Sequence, residues 1–416
     1  MTNEYQGDSP APPGPSRNIR KFAFIDSLRG WAFLGVFLCH VGQEVRQIPA
    51  PIGRVLTQGA FGVQLFFILS ALTLFLSLES RRGTEARPLR NFFLRRYFRI
   101  APLFYAAALF YACWPVTRSF NADLYGVIDW RGLVATFTFV HGWSPFWINL
   151  VVPGGWSIAV EMTFYLFVPL LFRVVRRADQ AAWGWFLSLL AGSILSVVLE
   201  RYLHAAYGGR YQANAYLFGL WWFPAQLPIF FVGIMAYFLM RDTLDATKPG
   251  NYGVSLLMLL ASCYLYVALS VGGPLSFRGL PNTLYGLVIL LFVWSTAMHP
   301  HRLIVNRFLS YLGTVSFSAY ITHFAALAVT RGLLIRVWPG LEAQPWPIVL
   351  ATWGVLAFAM TLGLSTLTYR YIEIPGQTLG KRVIAWLEGQ KREERATAGT
   401  PRGRDGWNPA EAVYSR

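Results

Sequence analysis

Charge is scarce in this sequence. Acidic and basic side chains together make up 13% of its 416 residues, against about 25% in an ordinary soluble domain. A chain of this size with so few charges cannot cover a water-facing surface, which excludes a pair of soluble domains. Cysteine is rarer still: Cys39, Cys113 and Cys263 are the three present. They lie in apolar stretches without metal-ligand spacing, which excludes a disulfide framework and a cysteine-bound zinc. Glycine-rich nucleotide loops, HExxH and GxSxG patterns are all missing, and with them the usual nucleotide-binding, zincin and serine-hydrolase readings. No metal cofactor is expected. Met298-His299-Pro300-His301 pairs two histidines but offers no third ligand nearby, and turn chemistry accounts for it.

What the sequence has instead is apolar length. Hydrophobic residues are 55% of the chain, in runs long enough to cross a bilayer, which takes about 20 residues as a helix. Barrel strands would be short and alternating. The expected fold is therefore all-α, a polytopic membrane helical bundle of about ten spans. The spans fall near residues 21–42, 61–78, 91–114, 156–174, 182–203, 215–240, 251–271, 281–298, 308–330 and 347–369. Residues 131–152 are apolar and aromatic, but Gly142, Ser144 and Pro145 interrupt them. If they crossed, the RVVRR cluster at 173–177 would fall outside, so they read as interfacial or re-entrant. The 36 basic residues exceed the 20 acidic ones. In a multispanning protein that excess belongs to inner loops and does not imply nucleic acid. It places both termini in the cytoplasm. Residues 1–20 read as a disordered polar tail, 21–376 as the membrane domain, and 377–416 as a charged cytoplasmic tail. No cleavable signal peptide is expected.

Ionisable residues inside spans are costly and mark function more often than packing. In the first span Arg29 and His40 are eleven residues apart, about 16 Å of helical rise and close to three full turns. They line one face at two depths. Arg99, with Arg95 and Arg96 a turn below, enters from the same side as Arg29, and together they make a basic funnel suited to phosphate. His40, Glu161 and His323 come from separate spans and fall at similar depth by residue count. A carboxylate-oriented imidazole is the usual general base for a hydroxyl.

The ordered motifs resemble the acyltransferase 3 family of integral membrane acyltransferases. SLRGWAFLGVFLCH carries an Arg-x10-His pattern, and VQLFFILSALTLF (63–75) is similar to the family's Phe-Phe-x-x-Ser-Gly motif, with Ala71 in place of glycine. FFLRRYFRIAPLFY (92–105) resembles its arginine-rich third helix and WSIAVEMTFYLFVPLL (156–171) its Trp-Ser-x-x-x-Glu stretch. LGTVSFSAYITHF (312–324) resembles its late Tyr-x-x-His region, with Phe317 where tyrosine is common, and YRYIEIPG (369–376) its Glu-x-Pro motif. The resemblance spans residues 20 to 380 and is to the stand-alone form, without a fused hydrolase-like domain.

It implies an O-acetyltransferase-like enzyme of the cytoplasmic (inner) membrane. Such an enzyme moves an acyl group, usually acetyl from cytoplasmic acetyl-CoA, to a hydroxyl of a glycan, lipid-linked sugar or secondary metabolite. In that role Arg29, Arg95, Arg96 and Arg99 would contact coenzyme A. His40 would be base or transient acyl carrier, with Glu161 orienting it or binding the acceptor. Ser70, Trp156, Ser157, Tyr320 and His323 would line the substrate cavity. The rival reading is a transporter of acyl groups or glycans without chemistry, since intramembrane charges also mark transport paths. Inverted internal repeats, which would favour it, are not evident.

Overall fold

The structure is a computed structural model and describes residues 16–82, 85–114, 127–207, 212–245, 250–271 and 280–398. Among these there is no strand. In chain order the helices are α1 (Ser16–Glu44), α2 (Ala50–Gln58), α3 (Gly62–Ser80), α4 (Pro88–Cys113), α5 (Trp130–Phe137), α6 (Gly155–Val174), α7 (Ala178–Tyr207) and α8 (Gln212–Trp221). They continue with α9 (Phe223–Asp245), α10 (Tyr252–Val271), α11 (Leu280–Met298), α12 (Arg307–Thr314), α13 (Ser316–Val337), α14 (Trp346–Thr368) and α15 (Ile374–Ala398). A single π turn, Tyr369–Glu373, joins the last two.

Eight of the apolar helical stretches are long and apolar enough to cross a membrane. Residues 282–298 of α11 form a shorter apolar stretch, and α4 has the length but carries several arginines. The expected bundle is therefore present, with the inner and outer helices set by burial. The spans built on α1, α3 and α9 are more than half buried, whereas those of α7, α10 and α14 are less than a quarter buried. Large side chains on these outer helices, such as Trp183, Leu187, Leu257 and Val355, face outward. In water such a belt would be an association surface; in hydrocarbon it costs nothing, because lipid is as apolar as leucine.

Three expectations about elements change. The span placed at 308–330 is two helices. Val315 has φ −93° and ψ 7°, and the break leaves α12 lying across the N-terminal half of α1. The contact is close because both partners are glycines: a Cβ on Gly30 would sit 2.3 Å from the Leu309 carbonyl oxygen, and one on Gly313 would sit 1.7 Å from that of Asp26. Ser27 Oγ and Ser310 Oγ add a 2.7 Å hydrogen bond across it. Second, residues 377–398, expected as tail, are helical. Gly376 and Gly380 let α15 approach Phe98 and Pro102 of α4, and Asn91 Nδ2 donates to Glu388 at 2.6 Å. Third, α1 begins at Ser16, inside the stretch expected to be disordered; residues 1–15 and 399–416 of the two tails lie outside the described residues.

Residues 130–154 form no helix of membrane length. Asp129 caps α5 through its side chain; a 3-10 turn (Val140–Trp143) follows, and then irregular chain in which Ile148, Leu150, Val151 and Val152 are buried. Buried non-helical backbone needs internal partners. Asn149 supplies one by accepting from Gly154 N–H at 2.8 Å. Gly154, at φ +74°, then turns the chain into α6. His141 is buried, 3.1 Å from the Gly155 carbonyl oxygen and stacked on Phe104.

Candidate active site

Helices α1, α3, α4, α6 and α13 meet around two adjoining cavities. The inner one, about 70 Å³, is lined by Arg29, Ser70, Thr73, Arg96, Arg99, Glu161 and Tyr165 among others. That is room for a few waters or one compact polar group. An arginine facing lipid would cost roughly 2.5–3.5 kcal/mol or more, which explains why these three turn inward. Arg29 donates to Asp26 at 3.2 Å and to Thr73 at 3.4 Å. Arg96 lies over the Phe92 and Tyr165 rings, and its buried Nε has no hydrogen-bond partner among the described residues. Arg99 sits in the field of Glu373, Glu161 and Asp26.

The carboxylates are tied to hydroxyls. Glu161 Oε1 accepts from Ser70 Oγ and from Tyr165 Oη, each at 2.6 Å. Glu373, in the π turn, accepts from Ser318 at 2.9 Å and from Gln377 at 3.2 Å. Asp26 and Thr73 hold Arg29, whereas Glu161 and Glu373 act on Arg99 through their charge. A buried guanidinium donor left without an acceptor fits an anionic group.

The outer cavity is larger, about 590 Å³, and mostly apolar, with His40, Gln43, Trp114, Trp156, Trp221 and Phe324 on its walls. His40 Nδ1 is 3.2 Å from Gln43 Oε1. Its ring packs 4.6 Å from Phe324 and 5.4 Å from His323. His323 is fully buried, with Nδ1 2.7 Å from the Tyr320 carbonyl oxygen and Nε2 without a partner among the described residues. At the mouth Arg331 pairs with both Glu44 and Glu342.

Val63 and Tyr320 line both cavities. Tyr320 Oη donates to the Gly154 carbonyl at 3.1 Å and accepts from Ser157 Oγ at 2.9 Å, which fixes the ring at the junction. A Cβ on Gly154 would lie 2.9 Å from that hydroxyl, so the left-handed turn and the neck require the same glycine. Trp156 stacks on Trp221 at 5.3 Å to wall the outer side.

Two site expectations are corrected. Glu161 does not orient His40: counting residues puts them at equal depth, but Glu161 bonds Ser70 and Tyr165 in the arginine cavity, while the side-chain partner of His40 is Gln43. Arg95 is not in the cavity either. Glu85, just ahead of α4, accepts two bonds from it, at 2.8 and 3.2 Å. Arg29, Arg96, Arg99, Ser70, Ser157 and Tyr320 do gather around the inner cavity, and His40, Trp156 and Tyr320 around the outer. His323 packs behind His40. Residues without an expected role also enter. Tyr165 stands one helical turn from Glu161, and Gln43 three residues from His40. Both spacings place side chains on a shared face, a signal available in the sequence.

Among curated proteins the chain is similar to Acyltransferase MdmB of Streptomyces mycarofaciens, 27% identical over 60% of this chain and 64% of that protein. It is also similar to a Staphylococcus aureus protein provisionally named an O-acetyltransferase, 22% identical over 89% of this chain and 59% of that protein. A third relative, provisionally named an acetyltransferase, comes from Acidianus two-tailed virus, 25% identical over 72% of this chain and 81% of that protein. The chain thus spans about three fifths of the length of the first two. No solved structure matches. The family model described as an acyltransferase domain matches residues 22–370, nearly the whole described bundle, and the chain belongs to that family, acyltransferase 3.

Proposed function

We propose that this protein is a membrane O-acyltransferase that takes an acetyl group from cytoplasmic acetyl-CoA and places it on a hydroxyl of a glycan, lipid-linked sugar or secondary metabolite. The observation that carries the reading is the junction at Tyr320. Its side chain lines both a cavity walled by arginines and one that holds an imidazole whose Nε2 has no partner among the described residues. Arg29 and His40 are about 16 Å apart along α1, a span that an extended pantetheine arm can cover. Arg29, Arg96 and Arg99 bind the donor's anionic end; Asp26 and Thr73 hold Arg29 in place, and Glu161, fixed by Ser70, balances the arginine charge. His40 takes the proton from the acceptor hydroxyl in the outer cavity. Ser157 and Tyr320 form the neck, and Trp156 and its aromatic neighbours bind the acceptor.

The direct test is transfer of labelled acetyl from acetyl-CoA by purified protein in nanodiscs to hydroxyl acceptors extracted from the native membrane. A transporter would move label without covalent transfer, and that result would sink the reading. Within the site, Arg29→Ala and Arg99→Ala should each weaken acetyl-CoA binding about ten- to hundredfold, as expected for a charge-assisted hydrogen bond worth roughly 1.5–3 kcal/mol. Acceptor KM should not change. Arg95→Ala should leave donor affinity within about twofold, because its guanidinium is held by Glu85 and lies outside the arginine cavity. Calorimetric titration of the three variants with coenzyme A separates these outcomes.

A further inference from the structure

We infer that Gln43 is the positioning residue that sets the tautomer of His40. The inference rests on the acyl-transfer reading only for its kinetic consequence; its structural content stands on a directed chain of hydrogen bonds. The chain starts at the carbonyl oxygen of Thr57, in the last turn of α2, which can only accept. Cys39 Sγ lies 3.2 Å from it and donates its S–H. That leaves the sulfur lone pairs as the acceptor for Gln43 Nε2, 3.4 Å away. With its amide nitrogen turned to Cys39, Gln43 presents Oε1 to the imidazole, 3.2 Å from Nδ1 of His40. An amide oxygen has no proton to give, so Nδ1 must carry one. Nε2 of a neutral His40 then keeps its lone pair, which is the state a general base requires.

The alternatives around the ring do not supply this function. The titratable groups nearest the cavity are Glu44, Tyr111, Tyr320, His323 and Arg331. Glu44 is paired with Arg331, Tyr111 donates to the Ile321 carbonyl, and Tyr320 donates to that of Gly154. His323 uses its Nδ1 on the Tyr320 carbonyl. The arrangement also explains how a histidine on an apolar helix can be oriented without a carboxylate. Residues 39, 40 and 43 lie on adjoining faces of one turn, so the helix brings its own orienting group.

The test has a structural and a kinetic arm. Protein labelled with 15N at histidine is reconstituted in nanodiscs, and the His40 ring signals are identified by their loss in His40→Ala. In the wild type they should report a protonated Nδ1 and a bare Nε2. Gln43→Leu removes the acceptor and should shift His40 toward the other tautomer. It should also lower kcat about tenfold, the scale of a neutral hydrogen bond, with donor and acceptor KM within about twofold. Gln43→Glu keeps an acceptor oxygen and should preserve both the tautomer and most of kcat. A wild-type His40 protonated on Nε2, or a Gln43→Leu protein with unchanged tautomer and kcat, overturns the inference. A tautomer that follows residue 43 in a protein that transfers no acyl group supports the positioning role and removes the transfer reading instead.

Discussion

Replacing His40 by alanine should lower the acyl-transfer rate about a thousandfold, within the range of 10²–10⁴ that a positioned general base contributes. Donor affinity should be unchanged, because the arginine cavity lies on the far side of the Tyr320 neck. No neighbour can take over. Glu161 is held by Ser70 and Tyr165 in the other cavity, and His323, though 5.4 Å from His40, is fully buried and fixed on the Tyr320 carbonyl. The substitution removes one ring from an aromatic wall and leaves α1 otherwise intact, so the protein should still reach the membrane in normal amounts. Single-turnover transfer from labelled acetyl-CoA is the measurement. A rate within tenfold of wild type, at equal protein level, would remove His40 from the chemistry. Rapid quenching of the wild type distinguishes a base from an acyl carrier, since only a carrier leaves label on the His40 ring.

The first helix was the most legible part of the site. Arg29 and His40 stand out in the sequence because a lipid-crossing helix has no use for them on a lipid face, and eleven residues bring them to one side by helix geometry alone. Depth was less legible. Counting residues treats every span as straight and starts each at its first apolar residue. The start of α6, Gly155, falls within one residue of the expected span, but a count carries no information on which way a side chain turns about its helix, and Glu161 faces the hydroxyls of α3 and its own helix. Arg95 and Arg96 are adjacent in sequence, yet only the second turns inward, because Glu85 captures the first. The order of motifs identified the family. What the motifs do to one another depends on contacts such as Glu161 with Ser70, 91 residues apart.

The break between α12 and α13 shows how much a hidden backbone contact can decide. Gly313→Ala should be severely destabilising, by about 3 kcal/mol or more, at or beyond the upper end of ordinary overpacking. The new methyl would lie 1.7 Å from the Asp26 carbonyl oxygen and 2.5 Å from its carbon. Both are backbone, so no side-chain rotation relieves the clash and one helix must move. The displaced segment is the N-terminal half of α1, where Asp26 holds Arg29 at 3.2 Å. Donor binding should therefore fall together with stability, even though Gly313 does not line the cavity. Gly363→Ala is the matched control: nothing lies within 4 Å of its added methyl. In the middle of α14 alanine should be neutral or stabilise by up to about 1 kcal/mol through helix propensity. The same chemical change should thus lower the thermal midpoint in nanodiscs for Gly313→Ala and leave it unchanged or raise it for Gly363→Ala. Equal midpoints would mean that the α1–α12 crossing is looser than the glycine contact requires, and that the position of Arg29 does not depend on it.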